Sequence, residues 1–287
     1  MILVTGATGT VGREVIKQLS AAGQSVRALI HSPEKAAAMQ GRNVASVVGD
    51  FTKPATLRAA LSGVDKLFLV SPADKREPIP FLEAAIVDEA RKAGVNHIVR
   101  LSVIGCNIDS PITLGRWHRE AERSVEASGI PWTFLRPNFF TASFAVYMGT
   151  TIRAESVFYA PAGGGRISMI DPRDIAACVL AAFANSKHRL QAYDLTGPEA
   201  LSLAQAAEKL STAVGKNIKF VDLPEDAYRS ALLGAGLIPQ FVDAYIQFWD
   251  IVKAGFAAGI SPAVEQIVGK KPRSLEDWAR DNAASLR

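Results

Sequence analysis

The sequence Thr5-Gly6-Ala7-Thr8-Gly9-Thr10-Val11-Gly12 stands between a short apolar run at residues 2–5 and a segment of helical periodicity at residues 11–22. Its glycines follow the pattern GxxGxxG, which permits a tight turn, a close approach of the backbone to a pyrophosphate, and close packing of the helix on a sheet. The start of that helix would present unpaired N–H groups to the phosphates. A turn without a ligand is the alternative, but its place at the first strand–helix junction favours a dinucleotide site. We predict that this site includes Gly6, Thr8, Gly9, Thr10, Val11 and Gly12.

Short β-type runs alternate with helical patterns through the first half of the chain. The runs lie at residues 2–5, 25–30, 44–48, 66–70, 97–101 and 132–135. This alternation is typical of βαβ units and predicts an α/β fold, a Rossmann-type doubly wound parallel sheet with a smaller, mainly helical C-terminal lobe. We expect the NAD(P)-binding domain over residues 1–140, with its sheet completed by segments within 167–200, and a substrate-covering lobe over 141–287.

The composition argues against several other classes of protein. The chain has 287 residues, of which 48% are hydrophobic, a net charge of +4 and only two cysteines. These values exclude a disordered chain and a disulfide framework, and nothing suggests a metal site. The longest apolar run, residues 175–184, is too short to cross a bilayer, and the first residues lack the basic region of a signal peptide. We expect a cytoplasmic monomer or homodimer that binds a small apolar molecule, not a nucleic acid or a membrane.

The end of the second predicted strand bears on which dinucleotide binds. An NAD site usually has an acidic residue there, which holds the ribose hydroxyls. Here no acid stands at the strand end, and His31, Ser32 and Lys35 are placed to surround a 2′-phosphate. We therefore expect NADP as the cofactor, with NADPH preferred over NADH. A solvated polar loop is the alternative.

Other cofactor contacts are expected where later strands end. Asp50 is placed to accept a hydrogen bond from the adenine amino group, or to serve only as an acid at a helix N-terminus. Ser102 follows the fifth strand and could hydrogen-bond the nicotinamide or the substrate, or merely end the strand. The remaining predicted contacts are Phe51, Val70, Ser71, Pro72, Pro137, Asn138 and Phe139.

Several motifs together resemble the NmrA-like family of atypical short-chain dehydrogenases/reductases. They are the glycine turn, GDF at 49–51, RLSVIG at 100–105, His118 with Glu122, SGIPWTFLRPNFF at 128–140, ISMIDPRDIAA at 167–177 and YDLTGPEALSLAQAAEKLSTAVGK at 193–216. The resemblance implies a Rossmann-type domain, a smaller C-terminal lobe and NAD(P) binding. The family includes triphenylmethane and quinone reductases, and also regulators that bind a dinucleotide without turning it over.

The chain lacks the Tyr-x-x-x-Lys pair of standard short-chain dehydrogenases, because none of its five tyrosines has a lysine four residues later. A cofactor that delivers hydride, and a pocket that positions an electron-poor acceptor, can act without such a pair. The catalytic candidates are His118 and Ser102. His118 shares a helical face with Glu122, and it is either a proton donor or substrate orienter, or part of a charged surface helix.

The segment 134–159 contains seven of the 22 aromatic residues. Phe140, Phe144 and Tyr147 are predicted to line an apolar pocket for a flat ligand, with core packing as the alternative for at least half of the seven rings. We therefore predict an enzyme, an NADPH-dependent reductase of an apolar aromatic or quinone-like molecule that acts by direct hydride transfer. The alternative is a dinucleotide-sensing regulator without turnover.

Overall fold

The fold is described from a computed structural model. It describes residues 1–32, 34–35, 39, 41–70 and 79–287, with only the backbone at 79–81. The strands are β1 Ile2–Val4, β2 Val26–Ile30, β3 Val44–Val48, β4 Lys66–Leu69, β5 His97–Leu101, β6 Trp132–Pro137, β7 Val157–Ala160, β8 Arg166–Ile167, β9 Gln191–Leu195, β10 Leu201–Ser202 and β11 Lys219–Asp222. The helices are α1 Thr10–Ala21, α2 Pro54–Leu61, α3 Ile79–Lys92, α4 Thr113–Ala127, α5 Ser143–Val146, α6 Gly149–Glu155, α7 Pro172–Ala184, α8 Leu203–Val214, α9 Glu225–Gly234, α10 Pro239–Lys253, α11 Ala263–Val268, α12 Leu275–Asp281 and α13 Ala283–Leu286.

A seven-stranded sheet organises the first of two units, which comprises residues 1–110, 114–136 and 175–194. The strand order is β3-β2-β1-β4-β5-β6-β9. The pairings from β3 through β6 are all parallel. The order reverses between β1 and β4, and open α/β sheets bind ligands at the carboxyl ends of the strands beside such a switch point. The predicted Rossmann-type fold is confirmed, and the glycine turn follows β1 at this point.

Periodic apolar residues explain why the helices of this unit pack on its sheet. In α1 the buried residues Val11, Val15, Ile16 and Leu19 recur at the spacing of one helical face. A core cluster joins Leu57 and Leu61 of α2, Ile86 of α3 and Leu67 of β4. The sheet is therefore held by apolar burial, and its strand ends are fixed in position.

The second unit comprises residues 111–113, 137–174 and 195–287. It contains two small sheets, a parallel pair of β7 with β11 and an antiparallel pair of β8 with β10. Helix α8 begins with a capping box, in which the Ser202 hydroxyl and the Gln205 side chain bond each other's backbone N–H groups. Its core includes Phe144, Phe158, Leu210 and Trp278.

In the ranges given above, none of the helices combines the length and the apolarity that a membrane crossing requires. Those ranges also contain no group of three or more His, Cys, Asp or Glu side chains that could hold a metal ion.

Candidate dinucleotide and active site

Each glycine of the turn has a geometric reason to lack a side chain. Gly6 has a φ of +59°, and a Cβ there would lie 2.9 Å from the Cβ of Val70. A Cβ on Gly12 would lie 2.1 Å from the carbonyl oxygen of Gly6, and one on Gly9 would lie 3.2 Å from the same oxygen. The turn is therefore closed so tightly that α1 begins directly against the backbone of Gly6.

The start of α1 has the properties of an anion site. Gly9 is the N-cap residue, no side chain caps the helix, and no acidic residue occupies the first turn. The first N–H groups of a helix have no partner within it, and the dipole is positive at that end. Gly9 is exposed and Thr8 and Thr10 are half-buried, whereas Val11 and Gly12 are buried. A dinucleotide pyrophosphate fits this anion site, the glycine cradle formed by residues 6–12. A Cβ on Gly12 would prevent the close approach of α1 to the backbone of Gly6 that forms the cradle.

Thr5 joins the two strands that flank the switch point, a role that the sequence analysis did not assign to it. Its buried hydroxyl accepts a hydrogen bond from Val70 N–H at 2.7 Å and donates one to Val70 O at 2.9 Å. The end of β1 is thereby tied to the chain just after β4, next to the side chain of Val70 that faces Gly6. The predicted contacts Ser71 and Pro72 lie outside the described residues.

The residues expected at a 2′-phosphate are only partly suited to it. His31 and Lys35 are exposed and Ser32 is half-buried. The Ser32 hydroxyl donates a hydrogen bond to the Glu34 carboxylate, and this bond lowers the pKa of Glu34. A carboxylate thus lies beside the predicted phosphate ligands, although the sequence analysis found no acid at the strand end. The arrangement leaves the choice between the two cofactors open.

The carboxylate of Asp50 is engaged at the start of α2. Oδ1 accepts hydrogen bonds from the N–H and the hydroxyl of Thr52, at 2.9 and 2.7 Å, and Lys53 Nζ lies 3.5 Å from Oδ2. The Thr52 hydroxyl is the main cause of a lowered pKa for Asp50. Phe51 packs, partly buried, against the core of its unit. This geometry fits the helix-terminal role, and an additional adenine contact through Oδ2 stays a prediction.

Ser102 and Glu122 lie close together beyond the end of β5. Ser102 is buried, its N–H donates to Leu135 O at 2.7 Å, and its hydroxyl makes no well-formed hydrogen bond within the described part of the chain. Glu122 is fully buried and accepts two hydrogen bonds from Arg136, at 2.9 and 2.7 Å, and one from Arg119 at 3.0 Å. Burial alone would raise the pKa of Glu122, but the bonds from Arg136, with help from Ser102, lower it. Glu122 is thus an ionised anchor and not a proton donor.

His118 is half-buried on α4, and its Nδ1 lies 3.3 Å from both terminal nitrogens of Arg100. Burial, and then the charge of Arg100, lower the pKa of His118 well below its usual value. This shift favours a neutral ring, and the predicted roles of His118, as proton donor or as substrate orienter, stay predictions.

The predicted contacts after β6 belong to the second unit. Asn138 is buried, and its amide nitrogen donates to Ser168 Oγ and Ala257 O, both at 2.9 Å, while its Oδ1 accepts from Phe139 N–H. Its side chain is thus occupied in holding the loop at residue 257, and a cofactor contact through the backbone of this segment stays a prediction. Pro137 is buried at the end of β6.

The aromatic rings of this unit divide between core and surface. Phe144 is fully buried against Phe158, so it packs in the core and does not line an open pocket. Phe139 is partly buried and stacks on Phe248 with centroids 5.7 Å apart. Phe140 is half-buried and Tyr147 is 73% exposed. Of the three predicted pocket residues, Phe140 and Tyr147 stay available to a ligand.

A glycine cradle at the switch point of a doubly wound sheet defines a dinucleotide-binding protein of the Rossmann class. Comparison with known families matches residues 6–186 to the NAD(P)H-binding family, and the chain belongs to it. The chain is 38% identical over 286 residues to the NAD(P)H azoreductase of Xenophilus azovorans, covering 100% of this chain and 99% of that protein. It is 37% identical over 287 residues to the (4-alkanoyl-5-oxo-2,5-dihydrofuran-3-yl)methyl phosphate reductase of Streptomyces griseus, with coverage of 100% and 99%.

Among solved structures, the NADPH complex of the quinone oxidoreductase QOR2 from Escherichia coli matches with a TM-score of 0.84 and 27% identity, over 98% of this chain and 99% of that one. The predicted NmrA-like resemblance and the prediction of an NAD(P)-binding oxidoreductase are confirmed.

Proposed function

We propose that this protein uses NAD(P)H to reduce an apolar, conjugated and electron-poor small molecule, such as a quinone, an azo compound or an unsaturated lactone. The observation that carries the proposal is the uncapped start of α1 against the backbone of Gly6, where a Cβ on Gly12 would lie 2.1 Å from a carbonyl oxygen. The bound dinucleotide supplies the hydride.

The choice of acceptor rests on what the side chains can and cannot do. The chain has no Tyr-x-x-x-Lys pair, so an alcohol or a simple ketone would lack its usual proton-transfer group. A conjugated acceptor spreads the negative charge that it gains, so positioning and a hydrogen bond suffice for its reduction. The relatives named above are reductases of azo, quinone and dihydrofuranone compounds, which share this conjugation.

Different residues of the chain bind the cofactor and orient the reacting groups. The amides of Thr10, Val11 and Gly12 hold the pyrophosphate, and Ser102, whose buried hydroxyl lacks a well-formed partner in the described structure, orients the nicotinamide or the acceptor. Phe140 and Tyr147 of the second unit stay the predicted contacts of a flat ligand.

The proposal includes a preference for NADPH over NADH, supported by the ammonium group of Lys35 and the nearby side chains of His31 and Ser32, and opposed by Glu34 beside Ser32. Glu34→Gln distinguishes two arrangements. If Glu34 faces a 2′-phosphate, the variant binds NADPH more tightly and NADH unchanged; if Glu34 holds the ribose hydroxyls, it binds NADH more weakly, and the preference for NADPH is wrong.

The test of function is consumption of NADPH, and separately of NADH, with a panel of quinones, azo dyes, unsaturated lactones and simple ketones. We expect turnover with the conjugated acceptors and none with the ketones. Tight cofactor binding without turnover of any acceptor would contradict the proposal and favour a dinucleotide sensor.

A further inference from the structure

A buried ion pair stands behind His118, and none of the roles above uses it. Arg100 of β5 and Glu83 of α3 are both fully buried. Arg100 Nε donates to Glu83 Oε2 at 2.7 Å, and one terminal nitrogen donates to Oε1 at 3.0 Å. This two-pronged contact fixes the plane of the guanidinium, because both of its hydrogen bonds must be satisfied together. A buried charge pair is seldom a source of stability compared with apolar packing, so its presence calls for another reason.

The free side of that guanidinium determines where the His118 ring carries its proton. Both terminal nitrogens of Arg100 lie 3.3 Å from His118 Nδ1. A guanidinium only donates hydrogen bonds, so Nδ1 must offer its lone pair. A neutral imidazole that accepts at Nδ1 carries its hydrogen on Nε2. A protonated ring would carry hydrogen on Nδ1 as well. That N–H would point at the two N–H donors of Arg100, next to the positive charge of the guanidinium.

The carboxylate that shares this face of α4 with His118 is already paired. On the same helix, Glu122 stands one turn further along and is neutralised by Arg136 of β6 and by Arg119. Burial raises the pKa of the Cys106 thiol, which lies beside Glu122, to about 11, so it stays protonated. Among the residues that the structure describes, Arg100 is therefore the charge that acts directly on the ring, with Glu83 bound behind it and with Glu122, Arg136, Arg119 and Cys106 grouped further along the site.

We propose that Glu83 and Arg100 are positioning residues that keep the proton of the neutral His118 ring on Nε2, so that His118 donates a hydrogen bond to the acceptor atom that gains negative charge. The catalytic part rests on the proposed reductase function. In the reaction the acceptor gains hydride, with its two electrons, and takes the balancing proton from water. His118 keeps its own proton throughout, because losing it would leave an imidazolate beside the substrate.

The first experiment observes the ring without any substrate. Nitrogen NMR of the full chain labelled at histidine, with His118→Gln to assign the signal, reports which ring nitrogen bears hydrogen. We expect the Nε2–H form, unchanged between about pH 8 and pH 5, where an ordinary histidine gains its charge. A ring protonated on Nδ1, or one that titrates in this range, overturns the proposal.

The second experiment removes the ion pair as a unit. Arg100→Met alone would strand a buried carboxylate and could prevent folding, so the variant is Glu83→Leu with Arg100→Met, which replaces both charges by apolar groups. In it no donor faces Nδ1, so we expect the His118 signal to show the neutral ring with its hydrogen on either nitrogen, and kcat/KM to fall by a factor that disappears when His118→Gln is present in both proteins compared. The matched control is Arg58→Met with Glu89→Leu, an ion pair between α2 and α3 with a 2.9 Å contact, which should leave the His118 signal and kcat/KM unchanged.

The outcomes separate this inference from the proposed function. If no acceptor is reduced but His118 shows the fixed Nε2–H form, the positioning part stands and the reductase proposal fails. If reduction occurs and His118→Gln leaves kcat/KM unchanged, the catalytic part is wrong. An unaltered Nε2–H signal in the Glu83/Arg100 double variant contradicts the positioning part.

Discussion

The substitution Gly12→Ala tests the cradle at the start of α1 with a single methyl group. The new Cβ would lie 2.1 Å from the Gly6 carbonyl oxygen and 2.7 Å from its carbon, and both are backbone atoms that no rotamer change can move. Since a carbon–oxygen contact needs about 3.3 Å, the start of α1 must withdraw from Gly6 by about 1 Å. Such a shift removes at least one amide–phosphate hydrogen bond, which contributes about 1.5–3 kcal/mol.

That loss corresponds to a Kd for the dinucleotide raised by about 10- to 100-fold, measured by isothermal titration with NADPH. Gly9→Ala, whose Cβ would lie 3.2 Å from the same oxygen, should weaken binding less. Gly164→Ala is the matched control, because its Cβ meets nothing within 4 Å and its φ is not positive. Thermal unfolding verifies that each variant is folded. If folded Gly12→Ala binds as tightly as Gly164→Ala, the reasoning about the cradle is refuted.

Three further predictions concern stability, each measured by urea unfolding. Burial lowers the pKa of His97 from 6.5 to about 4, with help from the charges of Arg189, Lys66 and His188. As the pH falls, the unfolded chain therefore binds a proton at this histidine before the native protein does. The free energy of unfolding should fall by about 3 kcal/mol as the pH drops from about 6.5 to about 4. His97→Gln should flatten that dependence, and an unchanged slope would contradict it. Thr5→Val removes both hydrogen bonds to Val70 and should cost about 2 kcal/mol, whereas Thr5→Ser retains them; equal stability of the two variants would speak against the tie between the strand ends. Glu122→Gln leaves Arg136 without its carboxylate and should cost roughly 2 kcal/mol, more than Glu120→Gln on the exposed side of α4.

The central sheet was predictable because its strands, although only three to six residues long, are apolar and alternate regularly with helices. The predicted runs at 44–48 and 97–101 coincide with β3 and β5, and the run at 25–30 extends β2 by one residue. The small sheets of the second unit were not predicted, because their strands have two to four residues and do not alternate regularly with helices. Strand β11 also pairs with β7 across more than 60 residues of chain, through the register Lys219 to Val157. Such short strands carry no clear period of their own, so tertiary contacts decide them.

The candidate site shows the same division between local and distant causes. The glycine pattern is local in the sequence, and the structure shows which atoms a side chain at each of these glycines would meet. The sequence did not indicate the contact between Arg100 and Glu83, because Arg100 lies within an apolar strand and Glu83 stands 17 residues earlier on another element. Glu34 was visible in the sequence, but its contact with Ser32 depends on the path of the loop after β2. Residues that act through a partner distant in the chain could be recognised only once the fold had placed both.

The most direct test of the central claim is a single turnover under anaerobic conditions. The protein is loaded with NADPH carrying deuterium at the transferred position of the nicotinamide and mixed with a conjugated lactone, whose reduced carbon retains the label. The account predicts that the deuterium appears on carbon in the product, that labelled NADPH is consumed more slowly than unlabelled NADPH, and that Gly12→Ala transfers little at matched cofactor concentration. Reduction of the lactone without deuterium in the product would contradict direct hydride transfer from a dinucleotide held at the glycine turn.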